Sequence, residues 1–189
     1  AILQAWYPGQ QGGKAVAEVL FGDYNPAGKL PVTFYRNVSQ LPDFEDYNMT
    51  GRTYRYMQDV PLFPFGYGLS YTTFGYGKTV LDKNELTAGQ SLKLTVPVTN
   101  TGKRNGEEVV QVYLRKQGDA EGPIKTLRAF KRVSIPAGKT VNVEFDLKDK
   151  ELEWWDDQSN TVRVCPGNYD IMVLSLIHIS EPTRLGMIS

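Results

Sequence analysis

The sequence predicts a mainly β chain: an immunoglobulin-like β-sandwich preceded by one short helical segment and an extended connector. Three observations carry that expectation. From residue 78 onward, apolar and polar residues alternate in strand-length runs. Clusters of Asn, Gly and Pro separate those runs at the spacing of sandwich turns. Before residue 78, the stretch 35–77 is rich in aromatics, Gly and Pro, with no sustained period of 2 or 3.6.

Taken in order, Ala15, Val16, Val19 and Leu20 share one face of a helix expected over residues 14–21, entered through Gly12-Gly13 and closed by Gly22 as its C-cap. Asn25-Pro26-Ala27-Gly28 reads as a turn, and residues 29–34 as a short extended segment at a strand start or an edge because of Pro31. This helix-and-strand piece is too small to bury its own apolar face. The connector that follows is too apolar for a solvated linker. Tyr47, Tyr54, Tyr56, Phe63, Phe65, Tyr67, Tyr71 and Phe74 are expected to pack on something larger.

In the sandwich, Leu92, Leu94, Val96 and Val98 alternate with polar residues, and Pro97, which cannot donate to a ladder, places that strand at an edge. After the turn at residues 100–106, Val110, Val112 and Leu114 face inward, with Val109, Gln111 and Tyr113 opposite. Pro136-Ala137-Gly138-Lys139 turns the chain into Val141, Val143, Phe145 and Leu147. Val162 and Val164, the Pro166-Gly167 turn, and Tyr169, Ile171 and Val173 complete the pattern.

Composition narrows the function. With 189 residues and 41% apolar content the chain holds one or two ordinary domains. Lys plus Arg number 21, as do Asp plus Glu, so no net field favours nucleic acid or an anionic membrane, and a neutral substrate such as a sugar fits. Cys165 is alone and reads as a small strand residue; it makes no internal disulfide, and no Cys/His cluster has zinc spacing. No apolar run reaches the ~20 residues of a membrane-spanning helix. Gly9 to Gly13 lacks the Lys-Ser/Thr of a phosphate loop, since Lys14 precedes Ala15, so no cofactor is implied.

Two motifs carry a resemblance. Trp6-Tyr7-Pro8-Gly9-Gln10-Gln11-Gly12-Gly13, followed by Gly22-Asp23-Tyr24-Asn25-Pro26-Ala27-Gly28-Lys29-Leu30-Pro31-Val32-Thr33-Phe34, resembles the end of the second domain of family-three glycoside hydrolases. Phe63-Pro64-Phe65-Gly66-Tyr67-Gly68-Leu69-Ser70-Tyr71-Thr72-Thr73-Phe74 is equally typical of that family. The sandwich resembles its closing fibronectin type III-like domain through Glu108-Val109-Val110-Gln111-Val112-Tyr113-Leu114, residues 127–133 and Pro166-Gly167-Asn168-Tyr169. The resemblance implies the truncated end of an α/β sandwich domain over residues 1–36, a connector over 37–77 and a fibronectin type III-like domain over 78–173. It also implies an exported enzyme that removes glucose or xylose from β-linked oligosaccharide chains, acts in carbohydrate metabolism such as xylan degradation, and has its N-terminal domains outside this sequence. Consistent with that, the chain opens at Ala1 without a signal-peptide pattern, as if inside a fold. Residues 174–189 resemble the translation of a transposase adapter and are read as a non-native tail.

Retaining glycoside hydrolysis needs two carboxyl groups about 5 to 5.5 Å apart. In the family resembled, the nucleophilic Asp lies in the first domain and the acid/base upstream of Tyr7-Pro8-Gly9, so neither maps here. No catalytic residue, no metal ligand and no substrate-binding residue is assigned, and the chain alone is expected to be inactive. The carboxylates Asp43, Glu45 and Asp46, Glu107 and Glu108, and Glu151, Glu153, Asp156 and Asp157 read as solvated faces or turns. His178 is the one histidine and falls in the tail, so no imidazole base is available. In Gly51-Arg52-Thr53-Tyr54-Arg55-Tyr56 the arginines are expected to clamp carboxylates or backbone carbonyls, and the form of the stretch favours β-xylosidases over β-glucosidases. Asn37-Val38-Ser39 and Asn48-Met49-Thr50 match the glycosylation triplet and receive no role. The alternative is a non-catalytic carbohydrate- or protein-binding module using Trp154 and Trp155 as a platform; the simpler reading puts one tryptophan in the core and the other against the connector.

Overall fold

The computed structural model describes residues 1–175, 178–179 and 183–188. In chain order the elements are α1 (Gly12–Phe21), α2 (Thr53–Tyr56), β1 (Phe74–Tyr76), β2 (Val80–Leu81), β3 (Glu85–Thr87), β4 (Leu92–Asn100), β5 (Gly106–Lys116), β6 (Thr126–Ile135), β7 (Thr140–Leu147), α3 (Asp149–Leu152), β8 (Trp154–Asp156), β9 (Thr161–Arg163), β10 (Gly167–Ser175), β11 (His178–Ile179) and β12 (Thr183–Ile188). One sheet centres on β4, with β7 on one side and β1 and β2 on the other; the second runs β3-β12-β10-β5-β6, with β11 paired to β10. The β8–β9 hairpin stands apart from both sheets.

The predicted sandwich forms because its alternation is strict. Leu92, Leu94, Val96 and Val98 from one sheet meet Val110, Val112, Leu114, Tyr169, Ile171 and Val173 from the other in one core, with Val143, Phe145 and Leu147 closing it. Trp154 seals one end, its ring edge-on to Tyr169 at 6.0 Å. Tyr169 is buried, and its hydroxyl donates to the Cys165 carbonyl at 3.0 Å, the back-bond of a tyrosine corner.

Several local expectations change in the folded context. Pro97 lies on the central strand β4, not at an edge. Its carbonyl accepts from Gly77 at 2.8 Å, just past the end of β1 and before β2 begins, so the donor it lacks falls where the ladder breaks between the two strands. Gly77 is needed there, because a Cβ would lie 3.0 Å from the Pro97 ring. Phe74 belongs to β1 and the sandwich core, although its sequence neighbourhood reads as connector. Val162 is exposed, because β9 pairs with β8 alone. Cys165 is buried but sits between β9 and β10 rather than on a strand, and burial pushes its thiol up from the ordinary value.

The helix forms over Gly12–Phe21, closed by Gly22 at φ 82°, whose N–H bonds the Val19 carbonyl. Leu20 and Phe21 lie open to solvent. Of the segment read as a non-native tail, Thr183–Ile188 fills the slot between β3, to which it runs parallel, and β10, to which it runs antiparallel, and Leu185 is buried. His178 is on β11 opposite Ser175.

Tyr169→Phe is expected to lower stability by about 1–2 kcal/mol, by removing the corner bond and stranding the Cys165 carbonyl. A urea titration followed by tryptophan fluorescence reads the change.

Candidate functional site

The feature that ties the three parts of the chain together is a polar junction. After α1 the backbone runs past the second aromatic motif: Leu30 N–H donates to the Tyr67 carbonyl at 2.8 Å, Gly66 N–H to Leu30 at 2.6 Å, and Phe34 N–H to Phe63 at 2.8 Å. Gly68 crosses so closely that a Cβ would meet the Gly28 carbonyl oxygen at 2.1 Å. Asn25 bridges all three parts, its Nδ2 donating to the Asn105 carbonyl at 2.9 Å while its Oδ1 accepts from Ser70 Oγ and Tyr71 N–H. Arg104 reaches back to the Gly22 carbonyl at 2.6 Å and lies over the Tyr71 ring.

At the centre of the junction is a buried ion pair. Lys29 Nζ lies 3.2 Å from Glu108 Oε2, with side chains only 8% and 2% exposed. Tyr76 hydroxyl donates to Glu108 Oε1 at 3.1 Å, and Lys29 donates to the Gly68 carbonyl at 3.0 Å. Glu108 does not lie on a solvated face: it shares the inward parity of Val110, Val112 and Leu114, and strand period alone puts it inside. The sequence signal was there, a carboxylate on an inward position, but its partner lies on the other side of the connector. Beside this pair, Asn100 is wholly buried and satisfied by the Thr72 hydroxyl, the Arg104 and Ile135 carbonyls and Gly102 N–H.

Residues 1–71 match the model described as glycosyl hydrolase family 3 C-terminal domain, and residues 108–176 match the fibronectin type III-like domain. The chain belongs to glycosyl hydrolase family 3. It is 57% identical over 172 residues to a protein named xylan 1,4-β-xylosidase from Xylanibacter ruminicola, covering 91% of this chain and 20% of that one. It is 38% identical to a periplasmic β-glucosidase of Salmonella typhimurium, covering 92% of this chain and 24% of the relative. A solved β-glucosidase from Erythrobacter marinus superposes with TM-score 0.81 at 40% identity, over 97% of this chain and 25% of that one. The chain spans about a fifth to a quarter of the length of the curated relatives it matches.

Against the family's two-carboxylate chemistry, the acidic groups here are placed for structure. Asp43 and Asp46 accept backbone N–H groups in exposed turns, and the bond from Asn48 holds the Asp46 carboxyl below its usual value. Asp156 accepts from Ser159 and Arg163, which depress its carboxyl to about 2. Glu107 pairs with Arg132, and Glu151 caps α3 by accepting Lys148 N–H. No group of His, Cys, Asp and Glu that could hold a metal ion occurs among the described residues.

Trp154 and Trp155 do not form a platform. Their strand alternation buries Trp154, whose indole donates to Asp119 at 2.7 Å, and leaves Trp155 half exposed, donating to its own neighbour Asp157. Arg52 clamps backbone carbonyls as expected, those of Asn48 and Asp46, whereas Arg55 makes no such clamp. The connector divides at this point. Tyr54 stacks on Phe65 at 4.2 Å and meets Tyr113 edge-on, covering the outer face of β5, while residues 38–49 stay open around a concavity of about 580 Å³ lined by Val38, Leu41, Phe44, Tyr47 and Met49. Tyr113, which alternation alone places outward, is buried under Tyr54, and Gln111, buried on the same face, accepts the Tyr113 hydroxyl at 2.5 Å.

Lys29→Met leaves Glu108 buried and uncompensated, and is expected to cost about 3–5 kcal/mol; Lys29→Met with Glu108→Leu is expected to recover most of it. Chemical denaturation of the two single variants and the double variant closes the cycle. Asp156, with its carboxyl depressed, supports the β8–β9 hairpin fully above the ordinary carboxylate value near 3.8 and loses that support as pH falls through about 2. Amide chemical shifts of β8 and β9 are expected to change between pH 4 and pH 2, and Asp156→Asn to remove that change.

Proposed function

We propose that this chain is the C-terminal portion of an exo-acting, retaining β-glycosidase, with β-xylosides preferred over β-glucosides, and that its own task is to brace the catalytic domains. In this reading residues 1–36 end the α/β domain, 37–77 form the connector and 78–173 the fibronectin type III-like domain. The nucleophile and the acid/base belong to preceding sequence, so the 189-residue chain hydrolyses nothing by itself. The substrate class rests on relatives named for xylosidase and glucosidase activity, and the preference for xylose on the 57% identity to the xylosidase together with the Gly51-Arg52-Thr53-Tyr54-Arg55-Tyr56 stretch. Export to the periplasm or beyond is proposed from the relative named periplasmic. No helix among the described residues is long and apolar enough to cross a membrane.

The observation that carries the bracing role is an asymmetry of exposure. Tyr7, Phe21, Phe44 and Tyr47 are 84–101% exposed, and all precede the sandwich, whose own large apolar groups are mostly enclosed. Aromatic rings left in water on the segment that precedes the sandwich are surface waiting for cover, which a brace between domains supplies.

Phe44→Ser with Tyr47→Ser is expected to leave the melting temperature of this chain unchanged, since both rings already face water, and to lower that of the full-length enzyme by several degrees. Equal behaviour in both contexts would overturn the bracing role. The full-length enzyme is expected to show at least about tenfold higher kcat/KM on an aryl β-xyloside than on the glucoside, a difference of about 1.4 kcal/mol in transition-state binding. The reverse order would overturn the preference.

A further inference from the structure

Five buried side-chain polar atoms lack a hydrogen-bond partner among the described residues, and three of them lie together: Arg55 Nε on α2, and Thr126 Oγ1 and Arg128 Nε at the start of β6. The two elements touch here, since Ile124 N–H donates to the Arg55 carbonyl at 2.6 Å and Leu127 N–H to the Tyr54 hydroxyl at 3.2 Å. Lys125, partly buried, lies over the Tyr113 ring at 5.2 Å. None of the three cations has an ion-pair partner among the described residues. Arg55 lies over the Tyr56 ring; Arg128 lies over the Trp154 ring and donates from Nη2 to the Glu153 carbonyl, while its Nε–H has no partner among the described residues. Burial lowers Arg128 first, and repulsion from Arg55 lowers it further, with Glu153 a weaker counterweight. Arg52, three residues before Arg55, has found its carbonyls, so the orphaned groups are a local feature of this cluster and not of the whole stretch.

From these observations we propose that Arg55, Arg128 and Thr126, with Lys125 beside them, form a binding site for a single oxyanion, a carboxylate or a sulfate-like group. Two planar guanidinium forks and a hydroxyl supply the donors such an anion accepts, and its charge relieves the repulsion between the arginines. Orphaned buried polar groups call for a partner, and beside clustered cations an anion is the partner that also offsets the charge. The anion is either a free ion or a carboxylate side chain from the remainder of a longer protein.

The test uses sodium sulfate and sodium acetate, titrated into the 189-residue chain at ionic strength held constant with sodium chloride. The melting temperature is expected to rise by roughly 3–5 °C at ten times the dissociation constant, with a saturating change in the fluorescence of Trp154, which Arg128 covers. Arg55→Met and Arg128→Met are each expected to abolish both responses, and Arg128→Lys to keep a weakened one. Should Arg128→Met fail to fold by circular dichroism, Arg55→Met decides alone, because α2 lies outside the sandwich. No selective response over chloride, or a response unchanged in the Met variants, overturns the site. In the full-length protein, a response that persists identifies a free ion. Loss of the response there, with Arg55→Met lowering the melting temperature, identifies a carboxylate of the protein itself.

Discussion

Glu108 is a charge on the inward face of a β-sandwich strand, and nearly everything about how the chain is assembled follows from the need to neutralise it. Placed among Val110, Val112 and Leu114, the carboxylate has lost its water and must find a cation and hydrogen-bond donors in the protein. Tyr76 supplies one donor from the first strand, and Lys29 supplies the cation from the segment that follows α1. A buried ion pair of this kind adds little to net stability over an apolar pair of the same shape, yet breaking it is costly. Its effect is therefore one of selection: only the arrangement that brings residue 29 to the mouth of the sandwich is allowed.

The surrounding contacts tighten that selection. Gly68 lets the backbone of the aromatic motif pass within reach of Gly28, and the Lys29 ammonium then bonds the Gly68 carbonyl on its way to Glu108. Asn25 and Asn100 fix the flanks through side-chain amides whose donors and acceptors are matched on both sides. The junction is thus polar and specific, with the large apolar groups of the N-terminal segment kept out of it. Tyr7, Phe21, Phe44 and Tyr47 remain exposed, available to whatever the segment leans on.

What could be read from the sequence was what depends on neighbours along the chain. Alternation in β4, β5, β7 and β10 gave the core almost residue by residue, because a period of two fixes the face locally. The helix and its Gly22 cap were legible for the same reason. The failures mostly depend on partners distant in sequence. Pro97 reads as an edge residue until β1 and β2 are seen to leave a gap beside it. Tyr113 reads as solvent-facing until Tyr54, itself stacked on Phe65, covers it. Val162 reads as core until β9 is found to pair outside both sheets. Glu108 is different: its strand parity already puts it inside, and only the identity of its partner, Lys29, depends on distant sequence.

The segment Thr183–Ile188 shows the limit of such readings from the other direction. Its sequence resembles adapter more than domain, yet it occupies the place between β3 and β10. Ladder bonds to β3 and β10 come from the backbone, so pairing there asks little of the side chains beyond an apolar one turned inward. Leu185 meets that single requirement by lying buried against the core. The Lys29–Glu108 contact makes the opposite demand, since it accepts one charge at one position. Specificity in this chain is accordingly concentrated at its junction, where side chains decide, and is lowest at its last strand, where the backbone is sufficient.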